Sequence, residues 1–168
     1  MTWLVPAIIG SFVNSVSAWG DPRGWGDNIR WASLYEAERQ YAVEESEAAK
    51  KPIIVFVHKE SCPACRFLKS GFSRTMQQDK AAAALSDKFI MVNVVGPELA
   101  QFLYGSKVFR RNFYPDGDYV PRVLFFDSPW ILNRKLTNGE SGGNRFNYDT
   151  PSDIVDNMKR MLSERKQH

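Results

Sequence analysis

The chain has 168 residues, 43% of them hydrophobic and 13% aromatic, which is enough apolar material for one proper core and unlike the polar makeup of a disordered chain. Its 22 basic and 19 acidic side chains give a formal charge of +3 and are interspersed along the chain. They do not gather into the basic stripe that tracks a phosphate backbone, so nucleic acid is excluded as an expected partner.

Residues 1–18, MTWLVPAIIGSFVNSVSA, carry no charge and end in the small-residue pattern Val16-Ser17-Ala18. This reads as a signal peptide cleaved before Trp19, leaving residues 19–168 as a single domain. The competing reading, favoured by the missing Lys or Arg near Met1, is a first helix packed on the domain. The apolar run falls short of the ~20 residues that cross a bilayer, and no later run is longer, so no membrane anchor is expected. A leader delivers the chain to an oxidising compartment, the endoplasmic reticulum lumen or the exterior, where disulfides persist. The chain ends Glu164-Arg165-Lys166-Gln167-His168 rather than in a KDEL-type address, which leaves retention open.

Asp27 or Asn28 is expected to cap a helix running to about Lys50, with Trp31, Leu34, Tyr35, Tyr41 and Ala42 near helical spacing. The runs PIIVFV (52–57) and FIMVNVV (89–95) read as buried strands and parallel neighbours. Between them, CRFLKSGFSRTMQQ and KAAAALSDK read as helix, broken or kinked near Gly71. Residues 96–119 read as an aromatic, turn-rich loop, with Pro97 to Phe113 as an amphipathic surface insertion in preference to a lid. VLFFD and ILNRKL then flank Ser128-Pro129 as a hairpin. Pro151 and Ser152 open a last helix, whose Ile154, Val155, Met158, Met161 and Leu162 share one face.

The stretch HKESCPACRFLK, His58 to Lys69, holds the only two cysteines, Cys62 and Cys65, where a strand ends and a helix begins. A thiolate on the first helical turn meets unpaired backbone N–H groups and the positive end of the helix dipole, which favour ionisation. Cys62 is therefore the expected nucleophile. Cys65, one turn on and deeper, is placed to resolve a mixed disulfide formed at Cys62. Pro63 suits the first helical position, where its missing N–H has no intrahelical partner to lose. Three other roles compete. A structural zinc site needs about four ligands, and only His58 and His168 could supplement the cysteines. A purely structural disulfide would close too short a loop to stabilise much. Buried inert thiols fit badly beside Lys59, Glu60, Ser61 and Arg66.

Three segments together, KPIIVFVHKESCPAC, PDGDYVPRVLFFD and NRFNYDTPSDIVDNMKRM, resemble the thioredoxin-like proteins of the endoplasmic reticulum that include thioredoxin domain-containing protein 12 and the anterior gradient proteins. The resemblance spans about Trp31 to Leu162. It implies an α/β thioredoxin-like fold, a central mixed sheet of about four strands flanked by helices. It also implies that Cys62 and Cys65 are the active pair, and that Val120-Pro121 is a cis-proline turn facing them, where Val120 offers backbone groups to a bound peptide. On X-Pro statistics alone, a trans Pro121 starting an edge strand would be expected. The chain departs from the pattern in two places. Phe56 stands where many relatives carry a buried acid six residues before the first cysteine, and Ser61 stands where oxidoreductase members carry Trp.

These features point to a thiol-disulfide oxidoreductase, with no cofactor and no metal. Its partners would be client polypeptides with cysteines, and glutathione or another oxidoreductase. The runner-up is a non-catalytic thioredoxin-like binding protein or chaperone, as a homodimer. The tryptophans Trp19, Trp25 and Trp31 are assigned to the core or a sheet edge before a partner surface, and GESGGN (139–144) reads as a flexible turn.

Overall fold

The computed structural model describes residues 20–46 and 48–167. The expected leader, residues 1–18, and Trp19 lie outside them. Five strands form one mixed sheet in the order β1-β3-β2-β4-β5. These are β1 (Trp31–Ala32), β2 (Ile53–His58), β3 (Ile90–Val95), β4 (Arg122–Ser128) and β5 (Ile131–Leu132). The helices are α1 (Leu34–Ala42), α2 (Pro63–Gln78), α3 (Lys80–Ser86), α4 (Gly96–Phe102), α5 (Lys107–Phe113) and α6 (Pro151–Arg165).

The centre follows from the apolar runs. β2 and β3 are parallel over six residue pairs, from Ile53 opposite Ile90 to His58 opposite Val95, and β4 is antiparallel to the other edge of β2. Alternation then sends Ile54 and Phe56 to one face and Ile53, Val55 and Val57 to the other, and both faces are covered. On the first face, Leu68, Phe72 and Met76 of α2 pack with Ile154, Val155, Met158 and Met161 of α6. On the second, Leu34 and Ala37 of α1 join Leu99 of α4 and Phe113 of α5.

Four expectations need correction. The helix expected from Asp27 or Asn28 to Lys50 is a two-residue strand followed by a nine-residue helix. Trp31 and Ala32 pair with Met91 and Val92, and Ser33 caps α1 by accepting the Glu36 N–H at 3.1 Å. The apolar spacing across Trp31, Leu34 and Tyr35 thus joins two elements, and β1 raises the sheet from about four strands to five. Second, α2 runs unbroken through Gly71. A Cβ there would lie 3.0 Å from Cγ of Pro151, so the glycine serves the close approach of α6. The break falls at Asp79, whose carboxylate accepts from the Ala81 and Ala82 amides and starts α3. Third, residues 96–119 contain α4 and α5, with Leu99 and Phe113 fully buried. Fourth, the expected hairpin forms, but β5 stops at Leu132, because the Asn133 side chain accepts the Lys135 N–H and turns the chain.

Candidate active site

Cys62 is the N-cap of α2, in extended conformation, with Pro63 at the first helical position. Its Sγ accepts the Cys65 backbone N–H at 3.0 Å, which satisfies one of the orphan donors of the first turn. Its carbonyl accepts from Arg66 N–H at 3.1 Å. Cys62 and Cys65 are joined as a disulfide with Cα atoms 5.2 Å apart. Cys62 is half-buried and Cys65 wholly buried, so the sulfur at the helix start is the one a second polypeptide can reach.

The loop before β4 faces this pair. The Val120-Pro121 peptide bond is cis, and the Val120 carbonyl oxygen lies 3.9 Å from Cys62 Sγ. The loop is held by Arg122, which is 1% exposed. Its Nη1 donates to the Tyr119 carbonyl and pairs with Asp118 at 3.3 Å, and its guanidinium stacks over the Tyr114 ring at 4.6 Å. Tyr119 adds a second tie: its hydroxyl donates to Asp116 and accepts from Phe146 N–H. Burial and the Asp116 hydrogen bond push the Tyr119 phenol well up, so it stays a neutral donor.

Behind the pair, Phe56 fills the place of the missing acid, its ring tilted against those of Trp25, at 4.8 Å between centroids, and Phe72, at 4.9 Å. Two residues on, and so on the same strand face, His58 is fully buried. Its Nε2 meets Asn93 Oδ1 at 3.4 Å, its ring packs edge-on to Trp25, and its Nδ1 has no hydrogen-bond partner among the described residues. Asn93 in turn donates to the Asp21 carbonyl at 2.9 Å. Burial first, then the charge of Lys69, lowers the His58 pKa to about 4, so the ring is neutral near pH 7. The N-terminal segment carrying Trp25 is held by Gly20 N–H to Trp31 C=O at 2.7 Å and by Arg23 paired with Glu98.

The geometry thus brings together all four residues singled out in the sequence, Cys62, Cys65, Val120 and Pro121. Residues 34–128 match the family model described as Thioredoxin-like. Among relatives, anterior gradient protein 3 of Xenopus tropicalis is 31% identical over 83% of this chain and 76% of its own length. The chain belongs to the anterior gradient branch of the thioredoxin-like family. Anterior gradient protein 2 of Xenopus laevis is 36% identical over 84% of this chain and 68% of the relative, and human anterior gradient protein 3 is 33% identical over 83% and 75%. Within this thioredoxin-like framework, sequence reasoning missed His58, Arg122 and Trp25 as supports of the site. The period-two spacing from Phe56 to His58 was the one available signal for the histidine. Among the described residues no group of three or more His, Cys, Asp or Glu could hold a metal, and no helix is long and apolar enough to cross a membrane.

Proposed function

We propose that the chain is a thiol-disulfide oxidoreductase of the secretory pathway that acts on cysteines of client polypeptides, with residues 1–18 as its removable leader. The observation that carries this reading is the Cys62–Cys65 disulfide at a helix start, with the more accessible sulfur 3.9 Å from a carbonyl of the cis-proline loop. In the reducing direction, the Cys62 thiolate attacks one sulfur of a client disulfide. A new S–S bond forms at Cys62 as the client's own bond breaks, and the client's leaving thiolate takes up a proton. Deprotonated Cys65 then attacks Cys62 Sγ, and the second client sulfur departs as a thiol. The protein ends oxidised and the client reduced; the reverse sequence oxidises a client. Val120 lends backbone groups to an extended client segment, and glutathione or another oxidoreductase resets the pair.

A second reading, a non-catalytic binding protein or chaperone, is favoured by one feature: buried Phe56 offers no proton acceptor beneath the pair. Trapping separates the two. Cys65→Ser keeps the attack and loses the release, so mixed disulfides with clients accumulate, whereas Cys62→Ser traps almost none. Equal trapping by the two variants would overturn the roles. Undiminished client function with both cysteines replaced by Ser would overturn the enzyme reading.

A further inference from the structure

The exposed flank of α2, running away from the cysteine pair, is a groove of about 670 Å³ with the backbone of Gly24 as one wall. Arg66, Lys69 and Arg74 line it, with Ser70 and Ser73 between them and Gln77 and Gln78 beyond, and no acid among the described residues contributes. α2 contains no Asp or Glu at all. Arg66 and Arg74 make no ion pair or side-chain hydrogen bond among the described residues, so their charge is uncommitted. Lys69 lies deeper, its ammonium 6.0 Å from the Trp25 ring centroid. Glu60 and Asp21 are the acids whose charge it feels, and neither lines the groove. The other cation nearby, Arg23, is already matched by Glu98.

We infer that this groove docks an acidic segment of a client polypeptide adjacent to the cysteine engaged at Cys62. The inference rests on the oxidoreductase reading for the identity of the occupant and adds the chemistry that selects it. Its geometry is set by the helix. At 1.5 Å of rise per residue, Arg66, Lys69 and Arg74 lie about 6, 10 and 18 Å along α2 from Cys62. An extended peptide advances about 3.3 Å per residue, so Asp or Glu about two, three and five residues from the client cysteine would meet the three cations in turn. A cation-lined groove concentrates an anionic partner and speeds its encounter. A lipid surface fits less well, because the groove is lined by polar and charged side chains, whereas exposed Phe67 of α2 lies outside the lining.

The test uses two peptides supplied as disulfide-linked dimers, one with Glu at those spacings and one with Gln. The reduced full-length protein is oxidised to its Cys62–Cys65 disulfide as each dimer is reduced to two thiols, and the second-order rate is read. At low salt the Glu peptide should react roughly tenfold faster or more. That ratio should fall toward one at ~0.5 M salt and in the R66E/R74E variant, and persist in R66K/R74K, which keeps the charge. Equal rates at low salt, or a ratio that survives R66E/R74E, would overturn the inference. So would sedimentation with phosphatidylserine vesicles that is lost in R66E/R74E while no peptide preference is seen, which would assign the groove to a membrane surface. If neither peptide is reduced, the oxidoreductase reading fails, and docking is still decided by fluorescence anisotropy with the C62S/C65S protein. There, tighter binding of the Glu peptide supports the groove, and equal binding overturns it.

Discussion

His58 makes folding stability depend on pH in a calculable way. In the folded chain burial and the Lys69 charge hold its pKa at about 4, against 6.5 for a free imidazole. The unfolded chain therefore takes up a proton more readily. The contribution is fully present above pH 6.5, declines as pH falls, and is lost once pH drops through about 4. A difference of 2.5 units corresponds to about 3 kcal/mol at the acid limit, and to about 2 kcal/mol between pH 7 and pH 4.5. Asp and Glu side chains also titrate in this range, so the measurement is a difference. Urea unfolding followed by tryptophan fluorescence would be run from pH 4.5 to 7.5 on the natural chain and on His58→Phe, whose ring preserves the packing against Trp25. The natural chain should lose about 2 kcal/mol more than the variant over that interval. Parallel curves would show that the ring is solvated or paired in the folded state and would refute the argument.

Gly71→Ala gains about 1 kcal/mol of helix propensity but places a Cβ 3.0 Å from the rigid Pro151 ring, where overpacking costs about 1–3 kcal/mol. The melting temperature should fall by about 2–4 °C, and a rise would mean that α6 does not press on α2 there. Arg122→Met removes the donor that holds the Tyr119 carbonyl and the cation between Tyr114 and Tyr119. Unfolding free energy should drop by about 1–3 kcal/mol, and amide hydrogen exchange should quicken across residues 116–121. Unchanged exchange there would show that Arg122 does not organise the loop.

What could be read from the sequence was whatever local pattern decides. Continuous apolar runs marked β2 and β3, the five-residue apolar face marked α6, and Pro63 after Cys62 marked the start of α2. The long-range choices were hidden. Trp31 and Ala32 become a strand only because Met91 and Val92 lie alongside, and no local signal separates that from the first turn of a helix. Gly71 suggests a break until Pro151 is seen against it, some 80 residues later in the chain. At the site, the cysteines and Val120-Pro121 were legible through resemblance to relatives. The burial of His58 and Arg122 was not, because charged-capable side chains are placed inside by contacts made across the fold: Asn93 and Trp25 for the one, Tyr114 and Tyr119 for the other.

The packing of Trp25 and α6 separates two boundaries that are easily taken as one. The family-model match covers residues 34–128, but the face of the sheet that bears Phe56 and Phe125 is completed from outside that interval: Trp25 on one side and Ile154, Met158 and Met161 on the other pack beside Leu68, Phe72 and Met76 of α2. A fragment trimmed to residues 34–128 would keep both cysteines and the proline loop yet leave part of one wall of its interior open to water. Such a piece should collect in aggregates rather than fold. In this chain the interval matched by the family model is shorter than the stretch that closes the core.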